Sequence, residues 1–339
     1  MEPVNPVRRF GRGFKPLPNH SFRKPPSPPL RTGPSNGVKN GILNVDKPKG
    51  LTSFAVVQEV KALLSARKAG HAGTLDPQAQ GVLLILLGEA TKISAYLMRL
   101  EKEYEATMVL GISTTTQDQQ GEILRKIEPK VELKELNEAF DKFLGMQEQI
   151  PPMVSAKRYR GRRLYQLFRQ GNVIERTPQK IEIRKLELLS YDMPEVKFRT
   201  ICSSGTYVRT LCHDMGEALG CGAHMAHLVR VRVGNFKLSD ALSWKRKELF
   251  HREVQSISEA LSDLPNVVVT RGMGQGIRMG RQIKNSEVID VNLSSAEITN
   301  THETFKVSDE DGNLIALATG EPASGEREFR LLRVFNPGI

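Results

Sequence analysis

Cysteine is scarce in this chain. Cys202, Cys212 and Cys221 are the only three in 339 residues. That is too few, and too irregularly spaced, for a disulfide framework, and a reducing, cytoplasmic setting is expected. Metal-ligand spacing is also lacking. No Cys-x-x-Cys pair occurs, and Cys212-His213 and Cys221-x-x-His224-x-x-His227 are the nearest approach to a ligand set. Histidines one helical turn apart serve packing or RNA contact equally well, so no metal is expected. No apolar run approaches the roughly 18 residues of a membrane span. The longest, Val82 to Leu87, lies between Gly81 and Gly88 and reads as a buried strand or short helix. The N-terminus lacks the apolar stretch of a secretory signal. Three catalytic signatures are missing as well: the Gly-x-x-x-x-Gly-Lys-Ser/Thr phosphate loop, a Gly-x-Ser-x-Gly elbow around Ser203 or Ser204, and the His-x-Glu of zinc deaminases. These absences count against a disulfide-stapled secreted protein, a helical membrane protein, a serine hydrolase and a zinc deaminase.

Positive charge is plentiful. The net charge is +11, which suits a polyanionic partner such as nucleic acid or an anionic membrane. Its placement is uneven. Residues 1–40 carry Arg8, Arg9, Arg12, Lys15, Arg23, Lys24, Arg31 and Lys39 against Glu2 alone, a balance of +7. Residues 1–38, rich in Pro and Gly as well as Arg and Lys, cannot bury enough apolar surface to offset ordering entropy, and a disordered basic tail is expected. The remainder is only mildly basic, so any binding face on it comes from local clustering.

Folded structure is expected from Gly41. Gly41 to Val45 reads as a strand, Asp46 to Gly50 as a turn, and Ser53 as the cap of a helix whose apolar face holds Phe54, Val57, Val60, Leu63 and Leu64. Tyr104 to Leu110 reads as a strand, and Leu133 to Leu144 as an amphipathic helix. Tyr207 to Leu219 predicts a helix closed by Gly220. After Leu264-Pro265 the pattern turns to short apolar runs, with a hairpin turn at Asp311-Gly312 or Gly312-Asn313. An α+β architecture with a small β-rich C-terminal domain follows.

Three segments carry chemistry. Gly70-His71-Ala72-Gly73-Thr74-Leu75-Asp76-Pro77 sets a carboxylate and an imidazole in a glycine-bearing loop, with Pro77 restraining Asp76. A fixed carboxylate serves covalent or acid–base catalysis, though a tight turn with a capping Asp fits equally. Ser204-Gly205-Thr206-Tyr207-Val208-Arg209 offers an aromatic face and a guanidinium that could hold a buried carboxylate ionised. From Pro151 to Gly171, Lys157, Arg158, Arg160, Arg162, Arg163 and Arg169 interleave with Tyr159, Tyr165 and Phe168. Cations for phosphates and rings for bases fit looped RNA; a solvated helix face is the plainer alternative.

Taken in order, the pieces carry a resemblance. Gly41-Ile42-Leu43-Asn44-Val45-Asp46-Lys47-Pro48, the Gly70–Pro77 loop, Gly88-Glu89-Ala90-Thr91-Lys92, Lys102-Glu103-Tyr104, Thr116-Gln117-Asp118, Pro151-Pro152-Met153, Gly205-Thr206-Tyr207-Val208-Arg209-Thr210 and Gly220-Cys221-Gly222-Ala223-His224 resemble the TruB family of stand-alone tRNA pseudouridine-55 synthases. Ala72, Val154, Arg158 and Asn235 depart from residues frequent in that family. The resemblance implies a catalytic domain over residues 39–262, built on a mixed, mainly antiparallel sheet of the pseudouridine synthase type. It implies an RNA-gripping insertion at about 112–176 and a PUA-like RNA-binding domain at 265–339. It implies Asp76 as nucleophile, Arg209 as its charge partner, and Tyr104 stacked on the target uracil and active in proton transfer. Tyr207 and Leu228 would line the uracil pocket, and His71 would hold the RNA loop open. Lys47, Lys157, Arg158, Arg162 and Arg163 would contact RNA. The substrate would be a tRNA T-stem-loop, taken by a monomer without cofactor or obligatory protein partner. A guide-RNA-dependent relative acting on rRNA, and a non-catalytic RNA-binding or RNA-folding protein on the same fold, are the alternatives.

Overall fold

The structure, a computed structural model, describes residues 40–155, 157–292, 303–322 and 327–336. The basic segment 1–38 lies outside the described residues. The chain divides into two compact units. One holds Gln78–Gly81 and Arg99–Leu238; the other holds the described parts of Asn36–Pro77, Val82–Met98 and Ser239–Ile339.

The first unit is built on an antiparallel sheet. Its centre is the strand Lys102–Leu110, flanked by Ala223–Val233 on one side and Glu195–Cys202 on the other. Gln179–Asp192 and Gly145–Gln149 continue the sheet beyond Glu195–Cys202. Alternation decides the two faces of the central strand. Lys102, Tyr104, Ala106 and Met108 are buried, whereas Glu103 and Glu105 face outward. On that outer face Arg232 pairs with Glu101 (2.8 Å) and Glu103 (2.9 Å), Arg199 with Glu105 (2.7 Å), and Arg184 with Glu101 (2.9 Å). The helix Leu133–Phe143 covers the other face. Phe140 meets Phe198 edge-on, ring centroids 5.9 Å apart. Leu136, Ala139 and Phe140 form its buried stripe, while Leu133 and Leu144 stand exposed at its ends.

In the second unit the strand Gly41–Lys47 is almost wholly buried and pairs in parallel with Leu242–Ser243. The helix Ser53–Leu63 follows. Its cap is Thr52, whose Oγ accepts from the Ala55 N–H at 3.0 Å, not Ser53 as expected. Of the expected apolar face, Val57, Val60 and Leu64 are buried, whereas Phe54 is 67% exposed and Leu63 is exposed as well; Val56 joins the buried stripe. Ala69–His71 makes a hairpin with the end of Gln80–Leu87, and Val82 to Leu87 is a wholly buried strand.

The C-terminal part of this unit is a five-stranded sheet in the order Val288–Asn292, Asn266–Val269, Glu303–Asp309, Leu314–Pro322, Arg327–Val334. The predicted turn is present, with Gly312 at φ +81° between two of its strands. The helix Arg271–Arg278 lays Met273 and Ile277 against Val267, Phe305 and Ile315. Lys92 Nζ bonds Glu89 (2.5 Å) and the Val334 carbonyl (2.8 Å), and the Asn336 N–H bonds Glu89. These bonds tie the sheet's last strand to the Gly88–Ile93 turn.

Gly81 sits at φ +100° in parallel register with Arg230. A Cβ there would lie 2.3 Å from the Arg230 carbonyl oxygen and 2.9 Å from its nitrogen. Both the conformation and the approach require glycine. Gly81→Ala is expected to cost about 3 kcal/mol or more in urea unfolding, since backbone atoms cannot yield as a side chain tip would.

Candidate active site

Asp76 sits on a loop pinned at both neighbours. On its N-terminal side, Ser53 Oγ donates to the Leu75 carbonyl and accepts the Leu75 N–H, each at 2.9 Å. Because Thr52 caps the helix, the Ser53 hydroxyl is left for this double bond. On the C-terminal side, the Pro77 carbonyl accepts from the Gly50 N–H (2.7 Å) and from Lys47 Nζ (3.2 Å). The carboxylate is thus carried between two anchored residues, and Asp76 itself is partly exposed. His71, at the end of the Ala69–His71 strand, pairs with Ile85, and the Ala72 N–H bonds the Leu84 carbonyl at 3.0 Å.

Lys47 corrects an expectation. It was to contact RNA, but it is 0% exposed. Its ammonium donates to the carbonyls of Pro48 (2.9 Å), Leu51 (2.7 Å) and Pro77 (3.2 Å). A buried charge must be paired or fully hydrogen-bonded, and here it braces the loop instead of reaching a phosphate.

The other unit carries Tyr104, Tyr207, Arg209 and Leu228. Tyr104 is buried on the central strand. Leu228 pairs with Ala106, so it shares the Tyr104 face one diagonal step away. Tyr207 precedes the helix Val208–Ala218, which Gly220 ends at φ +77° as predicted. Its backbone is held by Gln149, which is 3% exposed. Gln149 Oε1 accepts the Tyr207 N–H (2.8 Å) and Gln149 Nε2 donates to the Tyr207 carbonyl (3.1 Å). Arg209, 4% exposed, donates to the Val154 carbonyl (2.9 Å) and to Asp118 Oδ2 (3.3 Å). Asp118 is fixed in turn, since its Oδ1 accepts from Thr116 Oγ (2.6 Å) and the Gln120 N–H (3.0 Å). Asp118 belongs to the Thr116-Gln117-Asp118 motif, whose sequence alone does not reveal its pairing with Arg209, 91 residues away. Gln149 has no sequence signal of its own, because its partner is 58 residues away.

The basic aromatic segment forms a small hairpin and a helix. Arg158–Tyr159 pairs with Arg162–Arg163, turning at Gly161 with φ +83°. Lys157 and Arg162 are exposed, bonded to Gln179 (3.2 Å) and Gln170 (2.7 Å). The side chains of Arg158 and Arg163 lie outside the described set. Arg160 stacks over Tyr159 and Arg169 over Tyr165. Phe168, expected to face bases, packs instead against Met153, Leu164 and Leu167. Among the described residues, no three His, Cys, Asp or Glu gather as a metal-binding group, and no helix is long and apolar enough to cross a membrane. His224 is buried with Nδ1 at 3.0 Å from the Ile112 carbonyl.

The family model of the TruB family pseudouridylate synthase N-terminal domain matches residues 61–208, and that of the tRNA pseudouridylate synthase B C-terminal domain matches 209–262. A tRNA pseudouridine synthase B from Syntrophotalea carbinolica is 40% identical over 309 residues, covering 88% of this chain and 99% of that one. One from Pseudomonas paraeruginosa is 47% identical over 214 residues, 63% of this chain and 70% of its own. Two solved structures are similar in fold, each 26% identical. They are a Cbf5-Nop10-Gar1 complex (TM-score 0.69, 89% of this chain and 86% of that chain) and an H/ACA RNP bound to a substrate RNA containing 2'-deoxyuridine (TM-score 0.66, 88% and 85%). Together they define the class, a pseudouridine synthase of mixed α+β build. The chain belongs to the TruB family.

Lys102 gives this site a titration that can be measured. It is 6% exposed. Burial, reinforced by the neighbouring Arg230 charge, draws its ammonium down to about 8. Between pH 8 and about 10.5 the unfolded chain holds a proton that the folded one has lost. Stability therefore rises with pH across that window and carries its full penalty below pH 8. The difference in urea stability between wild type and Lys102→Met is expected to change by roughly 1 kcal/mol per pH unit from pH 8 to 10, and to be flat below pH 7.5.

Proposed function

We propose that this protein converts uridine 55 in the T-loop of tRNA to pseudouridine, with Asp76 as the nucleophile. The observation that carries the reading is the doubly pinned Asp76 loop, in which Ser53 fixes Leu75 while Gly50 and Lys47 fix Pro77. A nucleophile must keep one geometry while the substrate is rebuilt around it. The family and the tRNA pseudouridine synthase B relatives support tRNA as the RNA.

The reaction breaks N1–C1′, turns the uracil and joins C5 to C1′. A proton leaves C5 and one is gained at N1, so the step is an isomerisation without net redox change. Asp76 supplies the nucleophilic carboxylate, and Arg209 holds its charge and orientation. Tyr104 stacks on the uracil and takes part in proton transfer. Tyr207 and Leu228 line the base pocket, and His71 occupies the space the nucleotide vacates. Extrusion of a stacked base costs a few kcal/mol, and less in a strained loop, which favours a T-loop over a duplex. Lys157, Arg158, Arg162 and Arg163 grip flanking phosphates, and the C-terminal sheet acts as a PUA-like RNA-binding domain. The enzyme works in the cytoplasm as a monomer without cofactor. Alignment with 99% of a tRNA pseudouridine synthase B at 40% identity favours this over guide-RNA dependence.

The test is tritium release from C5-tritiated uridine in a tRNA transcript. Wild type is expected to release label from position 55, and Asp76→Asn to fall by at least about a thousandfold. Equal release from both would remove Asp76 from its role, and release that required an added guide RNA would favour the guided class. Binding to the same transcript should weaken with salt, by a log–log slope of about −0.7 to −0.9 per neutralised phosphate. Lys157→Ala with Arg162→Ala should lower that slope by about two phosphates' worth.

A further inference from the structure

The strand Ala223–Val233 holds two arginines two residues apart with opposite fates. Arg232 keeps 23% of its side chain exposed and joins the outer ion pairs. Arg230 is 1% exposed and among the largest fully buried side chains. Strict alternation would put both on one face. The pairing with Lys102–Leu110 breaks the alternation, because Arg230 lies opposite Tyr104 while Arg232 lies opposite the adjacent Glu103. The extra residue, Val231, is a β-bulge, a device that re-aims side chains beside functional sites. It leaves Arg230 on the Tyr104 face.

That face is polar and dry. Tyr104 is flanked in register by Arg230 on one strand and Thr200 on the other, and Lys102 precedes it by two residues on its own. Thr200 is 0% exposed, Arg230 1%, Lys102 6% and Tyr104 8%. The Thr200 hydroxyl has no hydrogen-bond partner among the described residues. On its far edge Arg230 is also held in place by Gly81, which its backbone meets too closely for any side chain. Apolar residues would serve stability better in such positions. A guanidinium keeps its proton at any working pH. A permanent positive charge therefore extends from a strand position whose Cβ lies about 4.5–5.5 Å from that of Tyr104.

We propose that Arg230 is a positioning residue of the reaction, which orients the Tyr104 ring and favours its phenolate by a fixed charge beside it. The proton lost from the substrate carbon passes to the Tyr104 oxygen and from there to water, while N1 of the uracil regains one; no oxidant or reductant enters. This rests on the reading of Tyr104 as the residue that stacks on uracil and moves that proton.

The full-length chain is compared as wild type, Tyr104→Phe, Arg230→Met, Arg230→Lys and the Tyr104→Phe/Arg230→Met double variant. Single-turnover pseudouridine formation is followed from about pH 6 to 10, alongside tRNA affinity and thermal melting. Arg230→Met is expected to slow formation by about tenfold or more near pH 7.5, with affinity within about threefold. The deficit should shrink as pH rises, because without the cation the phenol ionises only at higher pH. Arg230→Lys should recover most of the rate. In the Tyr104→Phe background, Arg230→Met should add less than about threefold. Arg230→Gln, neutral but still hydrogen-bonding, gives the same readout should Arg230→Met not fold. A deficit constant across pH and additive with Tyr104→Phe would overturn the proposal, as would a deficit confined to tRNA affinity. If Tyr104→Phe were as fast as wild type, the reading of Tyr104 itself would fall. That outcome is distinct from a slow Tyr104→Phe beside an unimpaired Arg230→Met, which would sink the proposal alone.

Discussion

The buried ammonium of Lys47 is the constraint around which the catalytic loop is organised. Three carbonyls, from Pro48, Leu51 and Pro77, converge on it. A charge so placed is tolerable only while all of them stay in position. The turn after the first strand and the residue after Asp76 are therefore locked together. Ser53 does the same from the other side of Asp76, through a hydroxyl freed by the capping role of Thr52. Neither residue touches the reacting atoms in the proposed chemistry. Each decides where the carboxylate is held.

The same economy governs the other unit, where single side chains fix distant backbone. Gln149 clasps both polar groups of Tyr207, and Asp118, held by Thr116 and Gln120, receives Arg209. Side-chain amides and carboxylates bonded to main chain lose little freedom once the sheet has formed. They set a functional residue more rigidly than packing alone. Tyr104 is positioned differently, by register on the central strand between Thr200 and Arg230.

Much of this was legible in the sequence. The α+β class, the strand at Gly41, the helix closed by Gly220 and the hairpin at Gly312 follow from periodicity and from glycines that adopt positive φ. The Asp76 loop and the Tyr207–Arg209 segment were visible as motifs. The failures share a cause. The resemblance implies RNA contact for Lys47, but neither it nor the side-chain type tells of burial, which the carbonyls around the ammonium decide. Phe168 was counted as a base-stacking ring because interleaving with arginines does not reveal a small core of Met153, Leu164 and Leu167 beneath it. Helical period places Val57, Val60 and Leu64 inward correctly, but the buried stripe takes in Val56 and leaves Phe54 and Leu63 at the surface. Arg230 carries no sequence signal of its own, since the bulge that turns it inward is a property of strand pairing and not of the strand's own sequence.

The outer face of the sheet has a consequence for how a polyanion meets this protein. Glu101, Glu103, Glu105 and Glu187 are interlaced there with Arg184, Lys185, Arg199 and Arg232. On a chain of net charge +11, this leaves one broad surface close to electrically silent. Charges paired this closely cancel one another beyond the Debye length of about 8–10 Å, so the flank adds little to the long-range field felt by a polyanion. The patch works as a blank flank. It narrows the set of first encounters without making any contact of its own, so that orientation is partly selected before binding begins.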